Sequence, residues 1–151
     1  MGTFDFYKGF WQLPLDTSSQ EYFSFVTEDG VFTPRRVPQG ASDSAVHFQS
    51  QMHRIFEDMI YHTLLIWVDD VLLFARCVED YLQVLRDFFQ RLRVHRLKLH
   101  PRKCNLFRKQ IIWCGRVIDG EGITHDPERL RALKFFGLPP MGLHCSNFYV
   151  P

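Results

Sequence analysis

The sequence predicts an α+β fold: a mostly antiparallel sheet with helices packed on one face. Three observations predict it. The run Leu64–Phe74 is apolar except for Asp69 and Asp70 at its middle, and each half has strand length and strand composition. Two stretches, Asp43–Ile60 and Glu79–Val94, carry apolar residues at helical spacing. Short alternating runs separated by Gly or Pro stand before and after them, so strands, hairpins and helices follow one another along the chain.

Taken in order, Thr3–Tyr7 reads as a short strand end carrying Asp5, and Lys8–Leu13 as a turn or short helix. Pro14–Gln20 is a loop. Glu21–Thr27 alternates as a strand, Glu28-Asp29-Gly30 is a hairpin turn, and Val31–Val37 is its partner, with Pro34 marking an edge or bulge. After the break at Pro38-Gln39-Gly40, the helix Asp43–Ile60 is expected to start on Ser42 or Asp43 as N-cap. In it Ala45, Phe48, Met52, Ile55, Phe56 and Met59 recur at helix spacing. The central hairpin covers Thr63–Ala75, with Asp69 and Asp70 at its bend. The helix Glu79–Val94 presents Leu82, Leu85, Phe89 and Leu92 on one face, flanked by Tyr81 and Phe88. Leu97–Phe107 is extended and broken at Pro101. Gln110–Ile118 gives one or two strands, Asp119–Gly122 a turn, and Asp126-Pro127 a helix start for a segment running to about Phe136.

A chain of 151 residues with 46% hydrophobic and 23% charged residues can bury the core of one domain and does not read as disordered. Met1–Phe10 lacks the pattern of a secretory signal, and no apolar stretch reaches membrane-spanning length, so an intracellular protein, cytoplasmic or nuclear, is expected. Cys77, Cys104, Cys114 and Cys145 form no CxxC pair and suit reduced thiols. His100, Cys104 and Cys114 match no familiar zinc spacing.

The net charge of +1 hides an asymmetry. Between Asp87 and Asp119 there is no acidic residue, while Arg91, Arg93, Arg96, Lys98, Arg102, Lys103, Arg108, Lys109 and Arg116 supply half of the 18 Lys and Arg. Such a field suits a polyanion, most obviously nucleic acid, although a basic run is more often a solvated face.

Asp69-Asp70 alone reads as an ordinary solvated turn. A sheet that brings the strand of Asp5 beside the central hairpin changes this, because three carboxylates then converge. Like charges held close repel, and Mg²⁺ relieves the repulsion while taking the carboxylates as hard oxygen ligands. Two-metal phosphoryl or nucleotidyl transfer uses this arrangement.

Five segments, in order, resemble the palm of a reverse transcriptase of the kind carried by gypsy-type LTR retrotransposons. They are Asp5–Leu15; Val37-Pro38-Gln39-Gly40 with Phe48-Gln49; Trp67-Val68-Asp69-Asp70; Leu97-Lys98-Leu99 with Lys103-Cys104; and Trp113-Cys114-Gly115 with Gly122-Ile123 and Asp126-Pro127-Glu128. The resemblance implies a reverse-transcriptase palm over residues 1–140 and an RNA-directed DNA polymerase. It implies that Asp5, Asp69 and Asp70 are the catalytic carboxylates and hold two Mg²⁺ ions, with Mn²⁺ as the alternative ion and the Phe6 carbonyl as a further ligand. It also implies that the backbone of Lys8 and Gly9 touches the triphosphate, that Phe10 excludes a 2′-hydroxyl beneath the sugar, and that Gln39 contacts the nucleotide. Trp67, Val68 and the hairpin Trp113-Cys114-Gly115 are implied to position primer and template. The implied partners are an RNA or DNA template, a primer, deoxynucleotides and the rest of a Pol polyprotein: fingers, thumb, RNase H and integrase.

Three departures stand out. Trp67 occupies a position where the family has Tyr or Phe, and Ala45-Val46 one where it usually has Pro. Residues 141–151 do not resemble the family and are expected to be a divergent tail read in a shifted frame. Fingers and thumb are expected to be largely missing, which gives the alternative of an inactive remnant that binds nucleic acid at most.

Overall fold

The computed structural model describes residues 1–128 and 131. Its elements are β1 (Gly2–Asp5), α1 (Gly9–Gln12), α2 (Thr17–Gln20), β2 (Phe25–Thr27), β3 (Gly30–Phe32), α3 (Ser44–Ile55), β4 (Leu64–Trp67), β5 (Asp70–Leu73), α4 (Val78–Val94), β6 (Ile111–Trp113), β7 (Arg116–Ile118) and β8 (Ile123–His125). The α+β class is as expected. The antiparallel strands divide into three sheets: β1-β5-β4 at the centre, the ribbon β2-β3, and β6-β7-β8.

The central sheet is organised by alternation. Phe4, Leu64, Ile66, Val71 and Leu73 are buried, and successive side chains of a strand point to opposite faces. Their face meets Phe48 and Met52 of α3 and Tyr81, Phe88 and Leu92 of α4, all in one cluster with Phe6 and Phe56. The register opposes Phe4 to Val71 and Asp5 to Asp70, so Thr3, Asp5, Asp70 and Leu72 share the opposite face. The other edge of β1 is covered as well. Thr3 and Asn105 exchange backbone hydrogen bonds of 2.9 and 2.8 Å, and the amides of Tyr7 and His100 donate to the carbonyls of Lys98 and Asp5. β1 is therefore an interior strand although its second neighbour, the segment from Lys98 to Asn105, is irregular.

Several expectations are corrected. The bend of the hairpin is Val68-Asp69, because Trp67 pairs with Asp70 and Asp70 opens β5. α3 stops at Ile55, five residues early. The Met59 carbonyl gathers the amides of His62, Thr63 and Leu64, and Tyr61 takes a left-handed φ of 66°, which turns the chain back into β4. Asp43 is its N-cap position, without a side-chain capping bond. The loop Pro14–Gln20 contains α2, started by the Asp16 carboxylate accepting from the Ser18 amide at 2.9 Å. The strand expected over Glu21–Thr27 begins with a 3₁₀ turn at Glu21–Phe23, and its partner ends at Phe32, short of Pro34. Pro101–Lys103 forms a 3₁₀ turn, and β8 is an unexpected strand. The helix start at Asp126 is present, with its carboxylate accepting from the Glu128 amide at 3.0 Å. The rest of that helix and the tail 141–151 lie outside the described residues.

α4 runs as expected, but its buried face is rotated. Tyr81, Phe88 and Leu92 are buried, with Val84 and Leu85 beside them, whereas Leu82 and Phe89 are about two-fifths exposed at 39% and 42%. Two overlapping stripes fit the helical period. The choice falls to Phe88, whose ring lies 5.0 Å from that of Phe4 and 5.4 Å from that of Phe56. Phe88→Ala should therefore cost about 3–5 kcal/mol and Phe89→Ala only about 1 kcal/mol, read from urea unfolding. The reverse order would return the core to the stripe through Phe89.

Candidate active site

The site is built where β1 ends and the β4–β5 hairpin turns. Directly opposed residues of an antiparallel pair lie side by side on one face, so the register sets Asp5 beside Asp70 and Asp70 beside Trp67. Asp69 sits in the bend, and its carbonyl accepts from the Phe6 amide at 3.1 Å, which ties the turn to the end of β1.

The bend has its own brace. Val68 holds a left-handed φ of 53°, a conformation that disfavours a β-branched residue by about 1–2 kcal/mol. The Gln49 side chain compensates. Its Oε1 accepts from the Val68 amide at 2.7 Å, and its Nε2 donates to the Ile66 carbonyl at 3.1 Å. Helix α3 thus reaches across and fixes the turn that carries Asp69.

The charges of Asp5 and Asp69 are both felt at Asp70. Asp70 is pushed above the ordinary carboxylate range, first by burial, then by the charges of Asp69 and Asp5, with Lys103 opposing. The Lys103 ammonium donates to Asp5 Oδ2 at 2.9 Å, and this bond to Asp5 is the main reason its pKa is raised, with Asp69 and Asp70 adding smaller contributions. Hard oxygen donors around a locally excess negative charge suit a hard divalent cation. Among the described residues, however, no three acidic, His or Cys side chains are drawn together as a metal ligand cluster, and the cation beside Asp5 is Lys103.

The other expected residues distribute as follows. Thr3, Asp5, Asp70, Lys103, Asn105 and Trp113 border a concavity of about 330 Å³, which Ile112 and Cys114 also line. Cys114 and Gly115 form the β6–β7 turn with φ of 49° and 72°, a two-residue turn with both central residues left-handed. Trp67 is exposed beside the bend. Lys8 (φ 50°) precedes α1, and Gly9 is buried so tightly that an added Cβ would stand 3.0 Å from Phe48 Cζ. The Phe10 ring packs on that of Phe48 at 5.4 Å. Gln39 is exposed in the loop before α3. Neither Phe10 nor Gln39 lines the concavity beside the carboxylates. The segments containing Gln49 and Lys103 were visible in the sequence, but neither residue carried a role there. Gln49 is a polar residue next to the buried Phe48, and Lys103 is one member of a long basic run.

The chain's sequence matches a known family. Residues 1–118 match the family model described as reverse transcriptase (RNA-dependent DNA polymerase), and the chain belongs to that family. It is 27% identical over 137 residues to the retrovirus-related Pol polyprotein from transposon 297 of Drosophila melanogaster, covering 91% of this chain and 13% of that protein. It is 33% identical over 126 residues to the enzymatic polyprotein of cauliflower mosaic virus, strain Strasbourg, covering 83% of this chain and 18% of that one. The chain thus spans less than a fifth of either relative. Its fold matches the foamy viral protease–reverse transcriptase in complex with double-stranded DNA, with TM-score 0.82, 23% identity and coverage of 91% of this chain and 24% of that one. Among the described residues, no helix is long and apolar enough to cross a membrane.

Two outcomes follow. Because Asp70 has a raised pKa in the folded state, its contribution to stability is present at low pH and lost as pH rises through that value. Asp70→Asn should therefore raise the melting temperature at pH 7, and the gain should disappear near pH ~3, below the usual range for Asp. A pH-independent gain would remove the electrostatic account. Gln49→Leu strips both hydrogen bonds from the bend and should destabilise the fold by about 1–3 kcal/mol. An unfolding midpoint like that of the unsubstituted chain would show that the bend holds itself.

Proposed function

We propose that this chain is the palm of a retroelement RNA-directed DNA polymerase, residues 1–140, working as one segment of a longer Pol polyprotein. The observation that supports the proposal is the register that sets Asp5 beside Asp70, with Asp69 in the adjoining bend, in a chain of the reverse transcriptase family. Its substrates would be deoxynucleotides and a primer annealed to an RNA or DNA template.

Asp5, Asp69, Asp70 and the Phe6 carbonyl would hold two Mg²⁺ ions, or Mn²⁺ in their place. The chemistry such ions supply when bound is a lowered pKa for the primer 3′-hydroxyl and compensation of charge on the triphosphate. Everything else falls to the chain. The register β1–β5–β4 would hold Asp5 and Asp70 side by side before any substrate arrives, which would spare ordering cost at the reaction. Gln49 keeps the Asp69 turn in place. The Lys8-Gly9 backbone would receive the triphosphate. Phe10, its ring against Phe48, would close the space beneath C2′ and select deoxyribose. Gln39 would contact the nucleotide. Trp67, Val68 and the Trp113-Cys114-Gly115 hairpin would seat the primer end. Lys103 balances the carboxylate charge at Asp5. The basic stretch Arg91–Arg116 would meet phosphates, whose contacts require charge more than exact geometry.

Primer extension on poly(rA)/oligo(dT) with Mg²⁺ tests the reading. Grafted into a full-length reverse transcriptase in place of the matching segment, the chain should extend the primer, and Asp69→Asn should reduce the rate about a hundredfold or more. The 151-residue chain alone should extend little while binding duplex at low salt, more weakly as salt rises. Extension by the graft that is indifferent to Asp69→Asn would overturn the assignment, and a graft that binds duplex but extends nothing would favour a remnant that only binds.

A further inference from the structure

A second concavity, of about 640 Å³, lies against α1 and includes none of the three carboxylates among its lining residues. Its walls are two aromatic rings, Tyr7 and Trp11, and four cations, Lys8, Arg36, Arg96 and Lys98, with no acidic residue among the lining. Neither ion pair found among the described residues, Arg91–Asp58 and Lys103–Asp5, uses any of these four cations. The Lys8 ammonium rests over π faces instead, 4.9 Å from the Trp11 ring centre and 5.7 Å from that of Tyr7. Arg36 spends Nη1 on the Gln12 carbonyl at 3.0 Å, and a guanidinium has further N–H donors to offer.

The floor is rigid. Gln12 Oε1 accepts from the Lys98 amide at 2.6 Å, and its Nε2 donates to the carbonyls of Tyr7 and Lys98. One side chain therefore joins α1 to the stretch after α4 and fixes the spacing between the aromatic wall and the basic wall. Cations gathered in one hollow repel one another, and a polyanion reverses the sign of that energy. An exposed indole beside them offers a stacking surface for a nucleobase. The volume falls within the range of small-molecule sites.

We propose that this concavity binds a nucleoside polyphosphate, with the base on Trp11 and the phosphates on Arg36, Arg96 and Lys98, held by side chains and without a divalent ion. It is a second nucleotide site: none of the three carboxylates lines it, while Lys8, Arg96 and Lys98 belong to segments that the polymerase reading also uses.

The test is isothermal titration of the 151-residue chain with ATP in excess EDTA at low salt. One saturable site is expected. Arg96→Glu with Lys98→Glu should weaken it about tenfold or more, by removing two charge-assisted contacts. Trp11→Ala should weaken ATP about fivefold or more, as loss of base stacking does. Inorganic tripolyphosphate should bind more weakly than ATP and be indifferent to Trp11→Ala. Asp69→Asn with Asp70→Asn should leave ATP binding within about twofold, as for sites that share no partner. Binding that appears only with Mg²⁺ and vanishes in the Asp69→Asn variant would overturn the proposal, as would charge reversals without effect or titrations that never saturate. Oligo(dT) binding through the same residues while ATP does not would assign the hollow to a strand and overturn the free-nucleotide claim. Circular dichroism of each variant keeps a lost fold from passing as lost binding.

Discussion

The pairing of β1 with β5 is the constraint on which the rest depends. It opposes Asp5 to Asp70, two like charges, and no local preference of the chain would choose that. The choice is made lower in the same ladder, where Phe4 meets Val71 and Gly2 meets Leu73, with Phe88 and Phe56 beneath them. Because side chains alternate, a slip of one residue would send Phe4 to the polar face and Asp5 into the aromatic cluster. Burial of rings thus holds a repulsive pair in place at the open end of the sheet. The cost appears where physics puts it, as a raised pKa on Asp70 and an ammonium drawn to Asp5.

How much of this was legible in the sequence follows from the range of each interaction. The Leu64–Phe74 run and the helix after it are set by short-range period and composition, and both formed where expected. The bend lies one residue before the Asp69-Asp70 pair that turn propensity favours. Val68 occupies the turn instead because Gln49, distant in sequence, satisfies its amide. The rotated face of α4 has the same origin, since Phe4 and Phe56 select one of two stripes with equal periodicity. Among the candidate site residues, the three Asp could be seen because a carboxylate in an apolar run demands an explanation. Lys103 was visible only within the Lys103-Cys104 match, and its pairing with Asp5 was not, because one lysine in a basic run looks like the next until the 3₁₀ turn at Pro101 aims it back at Asp5.

The same basic run divides in the folded chain into parts with different surroundings. Arg91 closes on Asp58 and on the Ile55 carbonyl, which binds α4 to the end of α3. Lys103 answers the carboxylates. Arg96 and Lys98 face aromatic rings and other cations. A block of like charge that reads as one feature in the sequence therefore serves as packing, as charge compensation and as an open anion-attracting wall, according to what the fold sets opposite each residue.

The covered edges of β1 carry a consequence for how the chain assembles. This strand lies near the start of the sequence, and both its neighbours, β5 and the Lys98–Asn105 segment, come much later. During synthesis β1 must wait unpaired, with Phe4 and Phe6 exposed, until nearly everything that flanks it has left the ribosome. Loop closure over such separations is slow relative to forming the local β4–β5 hairpin or α4. Asp5 is thus made well before the partners of its strand and is among the last residues of the sheet to be secured. The step that completes the carboxylate site is the same one that closes the barrier to an edge-pairing, aggregation-prone intermediate.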